Sequence, residues 1–348
     1  MVTKLVNVAL QGGGAHGAYA WGVLDHFLED ERLELDSLTG TSAGAMNAVV
    51  CAYGLMKGGR QAARDALHNF WYEVSAIGNG FKLVYHTPWQ QYMNLWNTDL
   101  SFSSFMTQAM TRFFSPYEFN PYNYNPLKEV LTKVVDFDEL PHCKCINVFI
   151  GATNVRTGKI KVFHNKAITL ETVLASCSLP FLYQAVKVNG DYYWDGGYTG
   201  NPPLFPLISR SKSSDVIIIH INPINRHDIP LTAHDIMNRV HEINLNNSLL
   251  KELRAIAFVI KLLEEGWLKK EYEKKLRKLF IHSIHAQPLK DLGVSSKFSS
   301  DWKFLTYLRD LGKAAAKEWL DENFESLGEQ STVDFRKEFI DVSSTKMS

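Results

Sequence analysis

The sequence predicts an α/β fold built on a mostly parallel central sheet, and three observations carry that prediction. Twice within the first 55 residues a strand-like run gives way to glycines and then to a helix-like stretch. Leu5–Leu10 runs into Gln11-Gly12-Gly13-Gly14, and Ser37-Leu38-Thr39 runs into Gly40-Thr41-Ser42-Ala43-Gly44. Consecutive strand–glycine–helix units indicate parallel strands joined by helical crossovers. Further on, Val216-Ile217-Ile218-Ile219 is apolar at every position, as strands covered on both faces are. Finally, the 348 residues are 45% hydrophobic, 21% charged and 12% aromatic, enough apolar surface to offset the entropy of ordering a chain.

The elements follow in order. After Leu5–Leu10, a helix from Ala15 to about Glu29 shows apolar Tyr19, Val23, Phe27 and Leu28 on one side. A second helix, rich in Ala and Val, ends near Tyr53-Gly54. Helices are expected at 61–74, 101–112, 126–135 and 170–177, and strands at 145–152, 159–163, 186–194 and 216–221. From Phe81 to Tyr124, 13 of 44 residues are aromatic, and prolines cut the stretch into short pieces. It is expected as an aromatic-rich helical insertion, about 78–125, over one end of the sheet. A long helical stretch follows, roughly 232–279. Ile236, Val240, Ile243, Leu250, Leu253, Ala257 and Ile260 recur at helical spacing, so its first half is expected to pack on the core. Its second half is highly charged. An edge strand at 280–285 and an amphipathic helix at 301–324 close the C-terminal part, about 232–325. The whole of 1–325 reads as one domain, with 326–348 as a flexible tail.

Composition narrows the function classes. Lys plus Arg and Asp plus Glu both number 37, and a neutral chain is no dedicated nucleic-acid binder. Four cysteines in this length make no disulfide scaffold. His142-Cys143-Lys144-Cys145 has a metal-like look, but no second Cys/His pair has finger spacing, so no metal is expected. No apolar run has a membrane span's length, and the start lacks signal-peptide anatomy. The expected location is the cytoplasm, with peripheral membrane contact left open.

Two turns carry candidate chemistry. Gly40-Thr41-Ser42-Ala43-Gly44 has the pattern of a nucleophile elbow, in which a Ser in strained strand-to-helix geometry needs small neighbours. The following helix aims its N-terminal dipole at the hydroxyl. The plain reading is a glycine-rich connection whose Ser caps a helix. Gly12-Gly13-Gly14-Ala15-His16-Gly17 also follows a strand and opens a helix, where convergent amides attract an anion. Gly12, Gly14 and Gly17 formally fit a dinucleotide fingerprint, and Asp36 lies at about the right distance, but in a poorly apolar segment. The other reading is an oxyanion hole serving Ser42, in which one donor is worth about 3 kcal/mol of transition-state stabilisation. The two turns lie 28 residues apart at the first two strand ends, so adjacent parallel strands would bring them together.

A base is still required. The 12 histidines are scattered, with only His16 in a turn motif. Asp195-Gly196-Gly197 ends the strand-like Tyr192-Tyr193-Trp194. An Asp there, desolvated beside Ser42, would have a raised pKa and accept the hydroxyl proton. An ordinary Asp-Gly turn is the plain alternative.

Together these motifs resemble the patatin-like phospholipase family. Gly12–Gly17 is similar to its oxyanion loop, Gly40–Gly44 to its elbow, and Asp195-Gly196-Gly197 to its aspartate motif. Ala175-Ser176-Cys177-Ser178-Leu179-Pro180, with Asn201-Pro202 downstream, matches the remaining signature, so the resemblance spans 5–205. It implies a three-layer α/β/α fold and hydrolysis of lipid acyl esters without a cofactor. It further implies Ser42 as nucleophile, Asp195 as base, and amides of Gly12, Gly13 and Gly14 as oxyanion donors, supported by His16, Gly17, Gly40, Gly44, Gly196 and Gly197. The partner it implies is a lipid or membrane-surface substrate. The family usually has Arg or Lys where His16 stands, and Asp or Ser where Gln11 stands. A neutral His holds a phosphate head group less well, so His16→Arg is expected to raise activity on anionic lipids relative to neutral esters. The alternatives are a neutral-ester or polyester hydrolase of the same fold, and a non-catalytic nucleotide- or membrane-binding protein.

Overall fold

The computed structural model describes residues 3–78, 113–226, 228–267 and 278–334. Most of the expected aromatic insertion, the helix expected at 101–112, most of the charged stretch after 268 and the end of the tail lie outside the described residues. Strand β1 (Lys4–Leu10) leads into helix α1 (Gly17–Glu29), and β2 (Leu33–Gly40) into α2 (Ala43–Gly78). Helix α2 breaks at Gly58-Gly59, where φ reaches +70° at Gly59, a conformation open to glycine. A short helix α3 (Pro116–Phe119) and α4 (Pro126–Val134) precede β3 (Asn147–Asn154), β4 (Ile160–His164) and α5 (Leu170–Ser176). The strand expected over 186–194 is a hairpin, β5 (Val186–Val188) and β6 (Asp191–Asp195). Asn189 and Gly190, both at positive φ, make the turn. Helix α6 (Phe205–Arg210), β7 (Asp215–His220), α7 (Ala233–Glu264), β8 (Phe280–His285) and α8 (Trp302–Asn323) complete the order.

The eight strands form one sheet in the order β5-β6-β3-β2-β1-β7-β8, with β4 also paired to β3. Strands β3, β2, β1, β7 and β8 are parallel. Strand residues alternate between two cores. Val6, Val8, Leu10, Ile217 and Ile219 face the larger, which includes α1, α2 and α8 residues such as Trp21, Trp71 and Phe304. Ala9, Val216 and Ile218 face the smaller, which includes Leu207 of α6 and Leu249, Leu253, Ile256 and Ile260 of α7. Helices on both faces make the fold a three-layer α/β/α arrangement, as expected. Each fully buried Leu or Ile contributes about 1.5–3 kcal/mol of hydrophobic stabilisation.

Two expectations need correction. The apolar residues in the first half of α7 do not pack on the core: Ile236, Met237, Val240 and Ile243 are about half exposed, and the buried stripe begins at Leu245. Periodicity reveals an apolar face without saying where its cover stops. Part of the tail expected to be flexible is tied down: Leu327 and Val333 are buried, and the Thr332 amide donates to the Ile281 carbonyl at 3.2 Å. The Gly328 amide donates to Asp215 Oδ1 at 2.8 Å. The chain therefore stays on the outer strands through residue 333. No helix among the described residues is long and apolar enough to cross a membrane.

Candidate active site

The chain passes from β2 to α2 through only Thr41 and Ser42, which forces Ser42 to φ +55°. A non-glycine residue held there carries about 1–3 kcal/mol of strain and persists because its surroundings fix it. The Gly44 amide donates to the Thr41 carbonyl at 2.9 Å, and the Met46 amide to the Ser42 carbonyl at 3.1 Å. The Ser42 amide itself donates to Ser176 Oγ at 3.0 Å, whose hydroxyl donates to the Gly151 carbonyl at 2.7 Å. Gly40 and Gly44 pack backbone to backbone inside the turn, where a side chain on Gly40 would collide with Gly44. The N-terminus of α2 lends the site a partial positive charge.

Sheet topology brings Asp195 to this elbow. Strand β2 pairs with β3 as far as Gly40 opposite Ile150. Ile150, Ala152 and Thr153 pair on the other edge of β3 with β4. Strand β6, which pairs Asp195 with Ala152 and Trp194 with Thr153, therefore occupies the edge that β2 vacates. The aspartate lands just past the end of β2, beside the turn that holds Ser42. Its amide donates to the Ser178 carbonyl at 2.8 Å, and its Oδ1 accepts from the Gly197 amide at 2.7 Å. Gly196 lies flat against the Gly151 carbonyl, where no side chain would fit.

The Asp195 carboxyl is 3% exposed, and burial raises its pKa from 3.8 to about 6 against the opposing pull of the Gly197 amide and the Ser42 hydroxyl. Ser42 is thus near enough to favour the ionised form, yet Oδ2 has no hydrogen bond of ordinary geometry. A buried carboxylate with one oxygen unpartnered thus stands beside a strained serine.

The glycine loop reaches the same place. A methyl at Gly12 would fall 2.7 Å from Ser42 Cβ, and one at Gly17 would fall 2.6 Å from Ala43 Cβ. Gly14 sits at φ +60° with the Lys297 carbonyl against it. The three amides differ. The Gly12 N–H donates to Asn201 Oδ1 at 2.6 Å and is committed there, which corrects its expected part as an oxyanion donor. Those of Gly13 and Gly14 enter no backbone hydrogen bond among the described residues.

Behind the loop lies a buried amide network absent from the sequence reading. Gln11 Oε1 accepts from the Ile221 and Asn222 amides, both at 3.0 Å, and its Nε2 donates to Asn246 Oδ1 at 3.0 Å. Asn222 Nδ2 donates to the Gly12 carbonyl at 2.8 Å, and Lys297 Nζ donates to Asn222 Oδ1 at 2.8 Å. A Gln at a strand end and an Asn directly after an apolar strand were the available signals. Their partners come from segments hundreds of residues apart.

Two other sequence candidates turn out differently. His16 is 2% exposed, with Nε2 2.7 Å from Ser296 Oγ and its ring edge-on to Phe304 at 6.4 Å. The ring is a packing group, so the expectation that it meets a phosphate head group is corrected. Asp36 is the extra residue of a β-bulge, since Leu35 pairs with Val6 and Ser37 with Asn7. Its carboxylate accepts from the amides of Lys212 and Ser213. That role removes the acid a dinucleotide site would need.

The patatin-like phospholipase family profile matches residues 8–208. Lysophospholipase NTE1 of Candida glabrata is 23% identical over 275 residues, which are 72% of this chain and 14% of that protein. An uncharacterized protein of Acanthamoeba polyphaga mimivirus is 22% identical over 218 residues, 58% of this chain and 61% of that one. The chain thus spans less than two thirds of either curated relative. Among solved structures, VipD from Legionella pneumophila aligns over 98% of this chain and 73% of its own, with TM-score 0.43 and 12% identity. The ExoU–SpcU complex of Pseudomonas aeruginosa gives TM-score 0.32 and 18% identity over 73% of this chain and 51% of the matched chain. With its profile match running from β1 through the elbow and the aspartate motif to α6, this chain belongs to the patatin-like phospholipase family.

Proposed function

We propose that this chain hydrolyses fatty-acyl esters of lipids, as a phospholipase A or lysophospholipase, through a Ser42–Asp195 dyad and an acyl-enzyme. Asp195 takes the Ser42 hydroxyl proton as Oγ attacks the ester carbonyl carbon. The carbonyl electron pair moves onto oxygen, and the oxyanion accepts hydrogen bonds from the Gly13 and Gly14 amides. As the tetrahedral species collapses, the ester C–O bond breaks and Asp195 returns the proton to the departing alcohol or lysolipid. Water then gives a proton to Asp195 and attacks the acyl carbon. Ser42 leaves with that proton restored, and the fatty acid is released.

The observation that carries this reading is the pairing of a strained Ser42 with a buried Asp195 whose Oδ2 lacks a hydrogen bond and whose pKa stands near 6. A base of that pKa is ionised at neutral pH yet basic enough to hold a proton in the transition state. The family match supports the substrate class. Contact with a lipid surface belongs to the same proposal, supported by the half-exposed Ile236, Met237, Val240 and Ile243.

The test is fatty-acid release by wild type, Ser42→Ala and Asp195→Asn from diacyl phospholipid, lysophospholipid and a neutral ester. Labelling of Ser42 by a fluorophosphonate should accompany it. Release and labelling abolished in Ser42→Ala, with release lost in Asp195→Asn, are the expected results. Equal release by the Ser42→Ala protein refutes the dyad.

A further inference from the structure

We propose that Asn201 and Asn222, the latter backed by Lys297, are positioning residues that set the direction of the Gly13 amide. The inference rests on the acyl-hydrolase reading and names what aims its oxyanion donor. The Gly12 residue is held from both sides: its N–H by Asn201 Oδ1 at 2.6 Å, and its C=O by Asn222 Nδ2 at 2.8 Å. In a trans peptide the C=O of one residue and the N–H of the next point in opposite directions. Anchoring the Gly12 carbonyl on Asn222 therefore turns the Gly13 N–H away from the buried network. That N–H makes no backbone hydrogen bond among the described residues.

The same contact acts on donor strength. A hydrogen bond to a peptide carbonyl draws charge along the unit and makes its N–H a better donor. Asn222 is 2% exposed, and its Oδ1 accepts from the half-buried Lys297 ammonium at 2.8 Å, so a full positive charge stands behind the Gly12–Gly13 peptide. Oxyanion stabilisation grows with such fixed polarity in a water-poor site. Gly12 and Gly13, between β1 and α1, have no side chains of their own to hold them. Asn201 and Asn222, each reaching in from a different segment, supply the fixation.

The experiment compares wild type, Asn222→Asp, Lys297→Gln and Lys297→Arg in ester hydrolysis and in the rate of fluorophosphonate labelling. Asn222→Asp keeps the shape and an acceptor for Lys297 but loses the donor to Gly12. Its kcat is expected to fall on the order of 30-fold, less than outright loss of a donor, with KM changed under about twofold. Labelling should slow in parallel. Lys297→Gln should lose about fivefold in kcat and Lys297→Arg should restore most of it, a rescue that a purely structural role would not predict. Should Asn222→Asp fail to fold by circular dichroism, the two Lys297 variants decide alone. Wild-type kcat in folded Asn222→Asp, or in Lys297→Gln, overturns the inference. A wild type that neither labels nor hydrolyses overturns the acyl-hydrolase reading and this inference with it, which is distinguishable because failure of the positioning role alone leaves both signals intact.

Discussion

Burial of Asp195 should cost the protein stability in return for a usable base, and Asp195→Asn isolates that cost. The unfolded carboxyl loses its proton near 3.8, whereas the folded one keeps it to about 6. Between those values the native state binds more protons than the unfolded state. Stability contributed by this group is therefore full below about pH 4, falls as pH rises through the window, and is level above about pH 6. Two pKa units correspond to about 3 kcal/mol. Asparagine keeps an acceptor for the Gly197 amide but carries no charge, so it escapes the penalty. For a chain of this length about 3 kcal/mol is worth roughly 4 °C in Tm. Thermal unfolding of both proteins at constant ionic strength from pH 4 to pH 8 reads it directly. Asp195→Asn should melt higher by up to that amount at pH 7–8 and converge with wild type near pH 4. The same titration governs catalysis: with a base of pKa about 6, the ionised fraction rises about tenfold from pH 5 to pH 7, and wild-type kcat/KM should follow. A Tm difference independent of pH, or a kcat/KM already level at pH 5, refutes the reasoning.

Gly12→Ala places a methyl 2.7 Å from Ser42 Cβ and 2.8 Å from the Thr41 carbonyl, so overpacking should lower stability by about 1–3 kcal/mol and slow fluorophosphonate labelling sharply. Wild-type labelling kinetics would show that the loop does not abut the serine. Ser176→Ala removes the acceptor of the Ser42 amide and the donor to Gly151, and should cost about 1–2 kcal/mol in denaturant unfolding together with a several-fold loss of kcat. His16→Arg forces a cation against Phe304 and Ser296, so Tm should drop without any gain on anionic lipid; a gain at unchanged Tm contradicts the buried placement. The double variant Ile236→Ser with Val240→Ser should weaken sedimentation with phosphatidylcholine vesicles while hydrolysis of a soluble short-chain ester stays unchanged. Equal sedimentation of variant and wild type removes α7 from the lipid-contact proposal.

What the sequence determined by itself is local. A serine at φ +55° between a strand and a helix admits only small neighbours, so Gly40-Thr41-Ser42-Ala43-Gly44 marks its own geometry in its composition. The glycine loop and the Asp-Gly-Gly turn are readable for the same reason, because close backbone approach excludes side chains. Strand order along the chain and the apolar run Val216–Ile219 likewise foretold a parallel sheet with helices on both faces. The tertiary structure decided what depends on distant partners. Asp195 reaches Ser42 only because β6 takes over the edge of β3 that β2 leaves, a consequence of register that no spacing encodes. Gln11, Asn222, Asn246 and Lys297 meet behind the glycine loop from four separate segments, and polar groups carry no periodicity that would announce the meeting. Helical spacing disclosed the apolar stripe of α7 without telling Leu249, which packs with Leu207 and Ile218, from Ile236, which stays about half exposed. His16 shows the same limit at a single residue: its motif position was visible, while the direction of its ring was set by Ser296 and Phe304, nearly three hundred residues away.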